Sequence, residues 1–243
     1  MDSFESVSTW KQPTPQPVSA ARTALVVDLA NRICSLGPHR LRVAIDGLTA
    51  AGKTSFGHEV AAAIRALGRP TLRASLDDFK RPWREAAEQG YDRVSGEGYY
   101  RNAPDLEGAR RLLLEPAGPQ GSGQVVLCAH DPLTGHDHRD VVVSAPPDAV
   151  LVVDGVFAFR PEYDAHWEYR VWLQVEPAVS LRRGVERDTE SEGGAEAALQ
   201  LHRHRYHVAE AIYLAEVDPQ LKADVVIDNT HFADPMVLNP PLP

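Results

Sequence analysis

Cysteine is scarce in this 243-residue chain: Cys34 and Cys128 stand far apart and form no CxxC pair. That excludes a disulfide framework and a thiolate metal site, and predicts a reducing, cytoplasmic setting. Basic residues are outnumbered, 25 Lys and Arg against 34 Asp and Glu, for a formal charge of −9. No chain-wide positive field is then available to attract nucleic acid or anionic lipid, so neither is an expected partner. Long apolar runs are missing too. None approaches the ~20 residues that span a bilayer, and the opening MDSFESVSTW carries acids where a signal peptide needs bases. A polyanionic ligand would have to be neutralised locally, by backbone N–H groups, one or two cations and a metal ion.

What is present is enough apolar residue, 43% of the chain, for one full core. We expect a flexible leader over 1–17, where KQPTPQP offers neither core nor regular donors, and a single domain over 18–243. Nothing in the sequence rules out a homo-oligomer. The pattern then alternates. A helix is predicted from Val18 to Leu36, a strand from Leu41 to Asp46, an Ala-rich helix from Lys53 to Leu67 and a strand from Thr71 to Leu76. The stretch 80–102 is polar, aromatic and glycine-rich without a clean period, and reads as a long surface loop. A helix from Pro104 to Leu114 precedes two strands, Val125–Ala129 and Val141–Ala145, joined as a long hairpin. Ala149 to Gly155 is an almost unbroken apolar run ending in an acid, as a strand buried on both faces requires. A strand from Tyr169 to Val175, helices Pro177–Asp188 and Ala195–Ala215, and a strand from Ala223 to Asp228 complete an α/β order with a parallel sheet, before a Pro-rich tail from Phe232.

Between the first strand and the Ala-rich helix, Gly47 to Thr54 reads GLTAAGKT, the full GxxxxGK[ST] phosphate-binding pattern. Its glycines let consecutive N–H groups face phosphate oxygens, and the helix that follows adds its positive end. The expected nucleotide contacts are Gly47, Thr49, Ala50, Ala51, Gly52, Lys53, Thr54 and Ser55. In that set Lys53 meets the β- and γ-phosphates of ATP or GTP, and Thr54 offers its hydroxyl to Mg2+. Asp154 closes the most apolar strand at the same sheet edge and is the second candidate for ordering magnesium. Asp77 and Asp78 follow another strand to that edge, where one of them can take the proton of an attacking hydroxyl. Arg81, Arg84, Tyr91, Arg93, Tyr99, Tyr100 and Arg101 are candidates for lining an acceptor pocket, with Tyr100 preferred for its place beside Ala103-Pro104-Asp105. The histidines at 130, 136, 138, 202, 204 and 207 lack HExxH spacing and companion cysteines, so solvated side chains are expected in place of a zinc site.

GLTAAGKT, SLDDF at Ser75–Phe79, APD at Ala103–Asp105, VVDGV at Val152–Val156 and RRGVERD at Arg182–Asp188, in that order, resemble the uridine kinase and phosphoribulokinase-like family across roughly residues 40–230. The resemblance implies a P-loop NTPase fold with a parallel five-stranded sheet flanked by helices, a β-hairpin insertion and a helical lid at about 183–205. It implies Asp77 as the base facing the acceptor hydroxyl, Asp154 at magnesium, and Arg183 and Arg187 as lid arginines acting with Lys53 in catalysis. On the acceptor side it points to Asn102, standing where that family has a ribose-binding aspartate, and to the hairpin around His130 and Arg139. The activity it implies is ATP-dependent phosphorylation of a small-molecule hydroxyl, with the 5'-hydroxyl of uridine or cytidine the first reading. Another alcohol (pantothenate, a sugar phosphate or a nucleoside-like metabolite) and a non-catalytic P-loop regulator stay open beside it.

Overall fold

The computed structural model describes residues 3–4, 6–11 and 18–238. In chain order the regular elements are β1 (Ser3–Phe4), α1 (Ala20–Ser35), β2 (Leu41–Gly47), α2 (Lys53–Ala66), β3 (Thr71–Ser75), α3 (Trp83–Glu88) and α4 (Gly96–Asn102). Next come α5 (Leu106–Ala109), β4 (Gln124–Val126), β5 (Val142–Ser144), β6 (Val150–Asp154), β7 (Tyr169–Gln174), α6 (Pro177–Asp188) and α7 (Ala195–Leu201). The chain continues through α8 (His207–Val217), α9 (Pro219–Lys222), β8 (Val225–Asp228) and β9 (Met236–Val237). Wider π turns extend α5 over Arg110–Leu114 and join α7 to α8 over His202–Tyr206, so the predicted helix 195–215 is one path with a π segment inside it.

The main sheet runs β1-β3-β6-β2-β7-β8-β9, and its five central strands are the parallel core that the sequence predicts. Helices α1 and α2 cover one face, with Leu29, Ile33, Val60 and Ile64 on Val43, Ile45, Val152 and Val171. The opposite face packs Leu151, Val153 and Trp172 against Leu113, Phe157, Phe159 and Tyr213. Burial from both sides is why β6 reads as a continuous apolar run. β4 and β5 form the expected antiparallel hairpin as a separate two-stranded sheet. Among the described residues, no helix is long and apolar enough to cross a membrane.

Two expectations are corrected. The leader is not a loose tail where it is described: Ser3 and Phe4 pair in parallel with Thr71 and Leu72, and residues 6–11 run on toward the ends of the central strands. The proline-bearing part at 12–17, like 239–243 of the tail, lies outside the described residues. The stretch 80–102 is not a bare surface loop either, since it holds α3 and α4 and sends Tyr99 and Tyr100 into the core. The Ser95 hydroxyl caps α4 by accepting from the amide of Gly98, and short period, not absence of structure, hid the helix.

Gly96 lets α4 lie directly on α8, because a Cβ there would overlap the side chain of Val208. Helix propensity favours alanine over glycine by about 1 kcal/mol, while overpacking a filled contact costs about 1–3 kcal/mol. Gly96→Ala is therefore expected to lower the thermal midpoint, and Val208→Ala added to it to restore part of the loss; a Gly96→Ala protein that melts higher than wild type would refute the close approach.

Candidate active site

β2, β3 and β6 end side by side, with Ile45 opposite Asp154 and Ser75 opposite Asp154 on the other flank. Their carboxyl ends therefore deliver Gly47, Asp77 and Asp154 to one edge, the edge where open α/β sheets bind ligands. Gly47 is required there, since a Cβ would stand 2.5 Å from the backbone oxygen of Leu173. Gly52 turns the chain with φ 89° into α2, whose first residue is Lys53. The loop between them is held from behind. Ser180 Oγ donates to the carbonyl of Thr49 at 2.6 Å, while the Thr49 amide donates to Glu210 Oε1 at 2.5 Å. Asn229 Nδ2 donates to the carbonyl of Ala51 at 2.7 Å, and Asn229 Oδ1 accepts from the fully buried Arg22, itself paired with Glu59.

Lys53 Nζ lies over the loop and donates to the carbonyls of Gly47 and Leu48 at 3.0 and 2.8 Å. Burial draws this ammonium below its ordinary range, against the opposing fields of Asp46, Asp77, Glu210 and Asp154. Asp46 is wholly buried, which pushes its carboxyl up to about 6 even with the Tyr213 hydroxyl bonded to it at 2.5 Å. Lys53 thus sits among four carboxylates, two of which have cations of their own in Arg73 and Lys80, and a polyphosphate would add negative charge that an accompanying cation could offset.

Thr54 Oγ1 donates to Asp154 Oδ2 at 2.7 Å, and Asp154 Oδ1 is held by Arg73 at 2.5 Å. A hydroxyl and one carboxylate oxygen side by side are hard donors of the kind Mg2+ accepts together with water and phosphate oxygens. Among the described residues no group of three or more His, Cys, Asp or Glu forms a protein-only metal cage, which a magnesium bound mainly by its nucleotide does not need. These residues fit the ion.

On the other side of the edge, Asp77 pairs with Lys80 Nζ at 2.6 Å, and Lys80 in turn donates to the Tyr99 hydroxyl at 2.8 Å. Burial alone would raise the Asp77 carboxyl, but Lys80, with Lys53 and Arg187 adding to it, holds it below the usual carboxylate range. Asp78 points the other way. It is 2% exposed and accepts from Ser8 Oγ at 2.7 Å and Ser6 Oγ at 3.2 Å. Burial, helped by the neighbouring charges of Asp77 and Asp154 and opposed by the Ser8 bond, pushes its carboxyl up to about 7. The Asp78 carbonyl accepts the amides of Ala129 and His130, which seats the base of the hairpin at the site.

A cleft of about 850 Å3 joins these groups. It is lined by Thr49, Ala50, Gly52, Lys53, Thr54 and Ser55 of the loop, by Asp77 and Asp154, and by Arg183, Arg187 and His130. Gly47 and Ala51 contribute backbone behind that surface. Three expected acceptor contacts are not there. Tyr100 is 2% exposed and stacks edge-on against Phe157 in the core, because Tyr99 is the face of α4 that meets the cleft. Asn102 turns its amide to the carbonyl of Asp92 at 2.8 Å. Arg139 lies exposed in a 2.5 Å pair with Asp137. Of the segment's other candidates, Arg81, Arg84 and Arg93 line the cleft, whereas Tyr91 and Arg101 do not.

The lid arginines share a face as their spacing requires. Arg183 donates to the carbonyls of Asn229 and Thr230, and Arg187 is gripped by Asp188 at 2.6 and 2.9 Å. Asp188 is paired in turn with Nε2 of His202 at 2.8 Å. His202 is fully buried in a notch left by Gly184, which corrects the expectation of a solvated histidine. His130 is buried as well, and neither of its ring nitrogens has a partner.

The chain matches no protein-family model and no curated protein sequence. Solved structures do resemble it. A possible uridine kinase from Bacillus stearothermophilus superposes with a TM-score of 0.63 at 23% identity, over 84% of this chain and 97% of that one. A "putative fructose transport system kinase" from Silicibacter sp. gives 0.62 at 23% identity, over 77% and 93%. D-glycerate 3-kinase from Cryptococcus neoformans gives 0.52 at 11% identity, over 77% and 86%. The fold is that of the uridine-kinase-type P-loop kinases.

Sequence reasoning passed over several residues of this site. Lys80 was open to discovery as a cation three residues after Asp77, and Asn229 as the first polar residue past the last parallel strand. Trp10 lines the cleft from a segment whose composition gives no sign of order. Arg205 and Glu210 sit on a helical path whose inward face depends on the π turns before it.

The raised Asp78 carboxyl fixes a sign. The native state holds its proton to about pH 7 while an unfolded aspartate loses it near 4, so this group's contribution to stability falls as pH rises through that window. Asp78→Asn, which keeps an oxygen for Ser8, is expected to gain thermal stability relative to wild type between pH 5 and pH 8. A difference in melting temperature that is constant over that range would disprove the assignment.

Proposed function

We propose that this chain is a kinase that transfers the γ-phosphoryl group of ATP or GTP to a hydroxyl of a small molecule. The observation that carries the reading is the sharing of one cleft by Asp77 and by Lys53, Thr54, Asp154 and Arg187. A nucleotide-binding loop alone serves switches and motors equally well. A carboxylate kept ionised by Lys80 at the phosphate end of the loop serves an acceptor.

The loop amides and the N-terminus of α2 bind the phosphates, and Lys53 leaves its carbonyl contacts to reach the β- and γ-oxygens. Bound at Thr54 and Asp154, Mg2+ would supply charge neutralisation for the triphosphate. Asp77 orients the acceptor hydroxyl in line with the γ-phosphorus and takes its proton as the new O–P bond forms and the bond to the β-phosphate oxygen breaks, releasing the nucleoside diphosphate. Arg187 stabilises the charge that moves onto the leaving oxygen, its guanidinium pre-set by Asp188. The structures it resembles, named for uridine, fructose transport and glycerate, support an alcohol acceptor without selecting one. A nucleoside acceptor keeps Tyr99, Trp10 and the unpartnered His130 as contacts, but not Asn102 or Tyr100.

Acceptor-stimulated ADP release over a panel of alcohols, including uridine, cytidine, pantothenate and sugar phosphates, tests the reading. Asp77→Asn is expected to cut the stimulated rate by about 10²-fold or more while nucleotide affinity stays close to wild type. Full turnover in that variant would remove Asp77 from the chemistry. Slow hydrolysis that no acceptor accelerates would favour a nucleotide-dependent regulator instead.

A further inference from the structure

The cleft has a second cationic centre, beyond the phosphate loop. From Asp77 the wall passes to Lys80, to the Tyr99 hydroxyl, and then to Arg205, whose guanidinium carbon lies 4.8 Å from the Tyr99 ring centre. Trp83 carries Arg205 at 5.1 Å and Arg93 at 4.3 Å, so one indole supports two guanidinium groups side by side. Two like charges stacked on one ring repel, and burial of Arg93 adds a desolvation cost on its side of the ring.

The rings of Trp83 and Tyr99 offset part of that cost by cation–π contact, but no ion pair among the described residues does. Among the described residues, no carboxylate forms an ion pair with Arg93, Arg205 or the adjacent Arg81. Arg93 is 5% exposed; its guanidinium donates only to the carbonyl of Arg81, and its Nε has no partner. Among the described residues Arg205 donates to the carbonyl of Arg93, and its Nε has no hydrogen-bond partner. Asp92 lies within the field of Arg205 but accepts its hydrogen bonds from the Ser95 hydroxyl and the amides of Val94 and Ser95. Burial, with Arg205 beside it, pulls Arg93 below the ordinary arginine range, the mark of a positive charge that lacks its counter-charge. In a chain of net charge −9 with acids to spare, a buried Arg93 and a half-buried Arg205 share one indole on the wall of the cleft with no carboxylate paired to either among the described residues.

We infer that the acceptor alcohol carries an anionic group, a phosphate or a carboxylate, that is bound by Arg93 and Arg205 over Trp83 while its hydroxyl faces Asp77. Planar guanidinium groups suit both anions, through paired N–H···O bonds. The inference rests on the kinase reading for the role of the ligand, but not for the existence of the anion site.

The test separates the two. With Mg2+ and a non-hydrolysable ATP analogue saturating the loop, ribose 5-phosphate is titrated against ribose and gluconate against sorbitol, following tryptophan fluorescence, with Trp83→Phe identifying the Trp83 signal. The charged member of at least one pair is expected to bind at least about tenfold more tightly than its neutral partner, the effect of charge-assisted hydrogen bonding. A phosphate ligand and a carboxylate ligand are told apart by which pair shows the preference. Arg93→Met is expected to abolish that preference without changing affinity for the ATP analogue, and Arg203→Met, which removes the same charge from an exposed neighbouring position, to leave it intact. Equal binding of charged and neutral members, no binding of either charged probe at millimolar concentration, or an unchanged preference in Arg93→Met overturns the anion site. If the preference is present but none of the alcohols accelerates ADP release, the anion site stands and the kinase reading falls.

Discussion

Lys53 faces Asp46, Asp77, Asp154 and Glu210, and the rest of the site is arranged around that imbalance. Each of the four carboxylates has a second partner of its own. Tyr213 bonds Asp46, Lys80 holds Asp77, Arg73 holds Asp154, and the Thr49 amide holds Glu210. Those partners come from α8, the turn after β3, the middle of β3 and the phosphate loop. The acids therefore stay fixed, without collapsing onto the lysine, and Lys53 is left on two neutral carbonyls from which it can be drawn by phosphate. In the proposed phosphoryl transfer, preorganised charges of this kind would lower the reorganisation needed as charge shifts.

The same logic extends to the acceptor side, where the imbalance is reversed. Lys80 neutralises Asp77, and beyond the Tyr99 ring Arg93 and Arg205 begin. A cleft with mutually paired charges at one end and guanidinium groups without an ion pair at the other suits, on the proposed reading, a cation-accompanied polyphosphate beside an anionic small molecule. The two ends are built on different supports. The donor end rests on strand termini, and the acceptor end on α3, α4 and the π segment, which pack on one another through Gly96 and Tyr206.

The parts of this arrangement that were legible in the sequence are those set by short-range rules. GLTAAGKT in a strand-loop-helix context, the acid after an apolar run and the positions of the strands follow from period and composition, the five-stranded parallel order came with the family resemblance, and the structure brings Lys53, Thr54, Asp77, Asp154, Arg183 and Arg187 to one cleft. Side-chain direction on short elements was not legible. Whether Tyr99 or Tyr100 meets the cleft depends on where a two-turn helix starts, and a shift of one residue exchanges a lining group for a core group. Asn102 was lost for the same reason. The leader failed differently: Ser6, Ser8 and Thr9 earn their order by closing buried carboxylates at Asp78 and Asp131, partners more than 70 positions away or close to it, which no local pattern signals.

His202 shows what such long-range pairing does for function. A histidine in a basic run, HRHRY, looks like solvated surface, yet here it fills the notch at Gly184 and grips Asp188 from below while Asp188 holds Arg187 from above. The guanidinium of Arg187 is consequently tied to the helical path that carries Arg205. On the proposed reading, the arginine at the donor end and the arginine at the acceptor end are therefore carried by one connected set of contacts. That connection consists of two hydrogen-bonded contacts and one missing Cβ, and it bypasses the acidic stretch between α6 and α7.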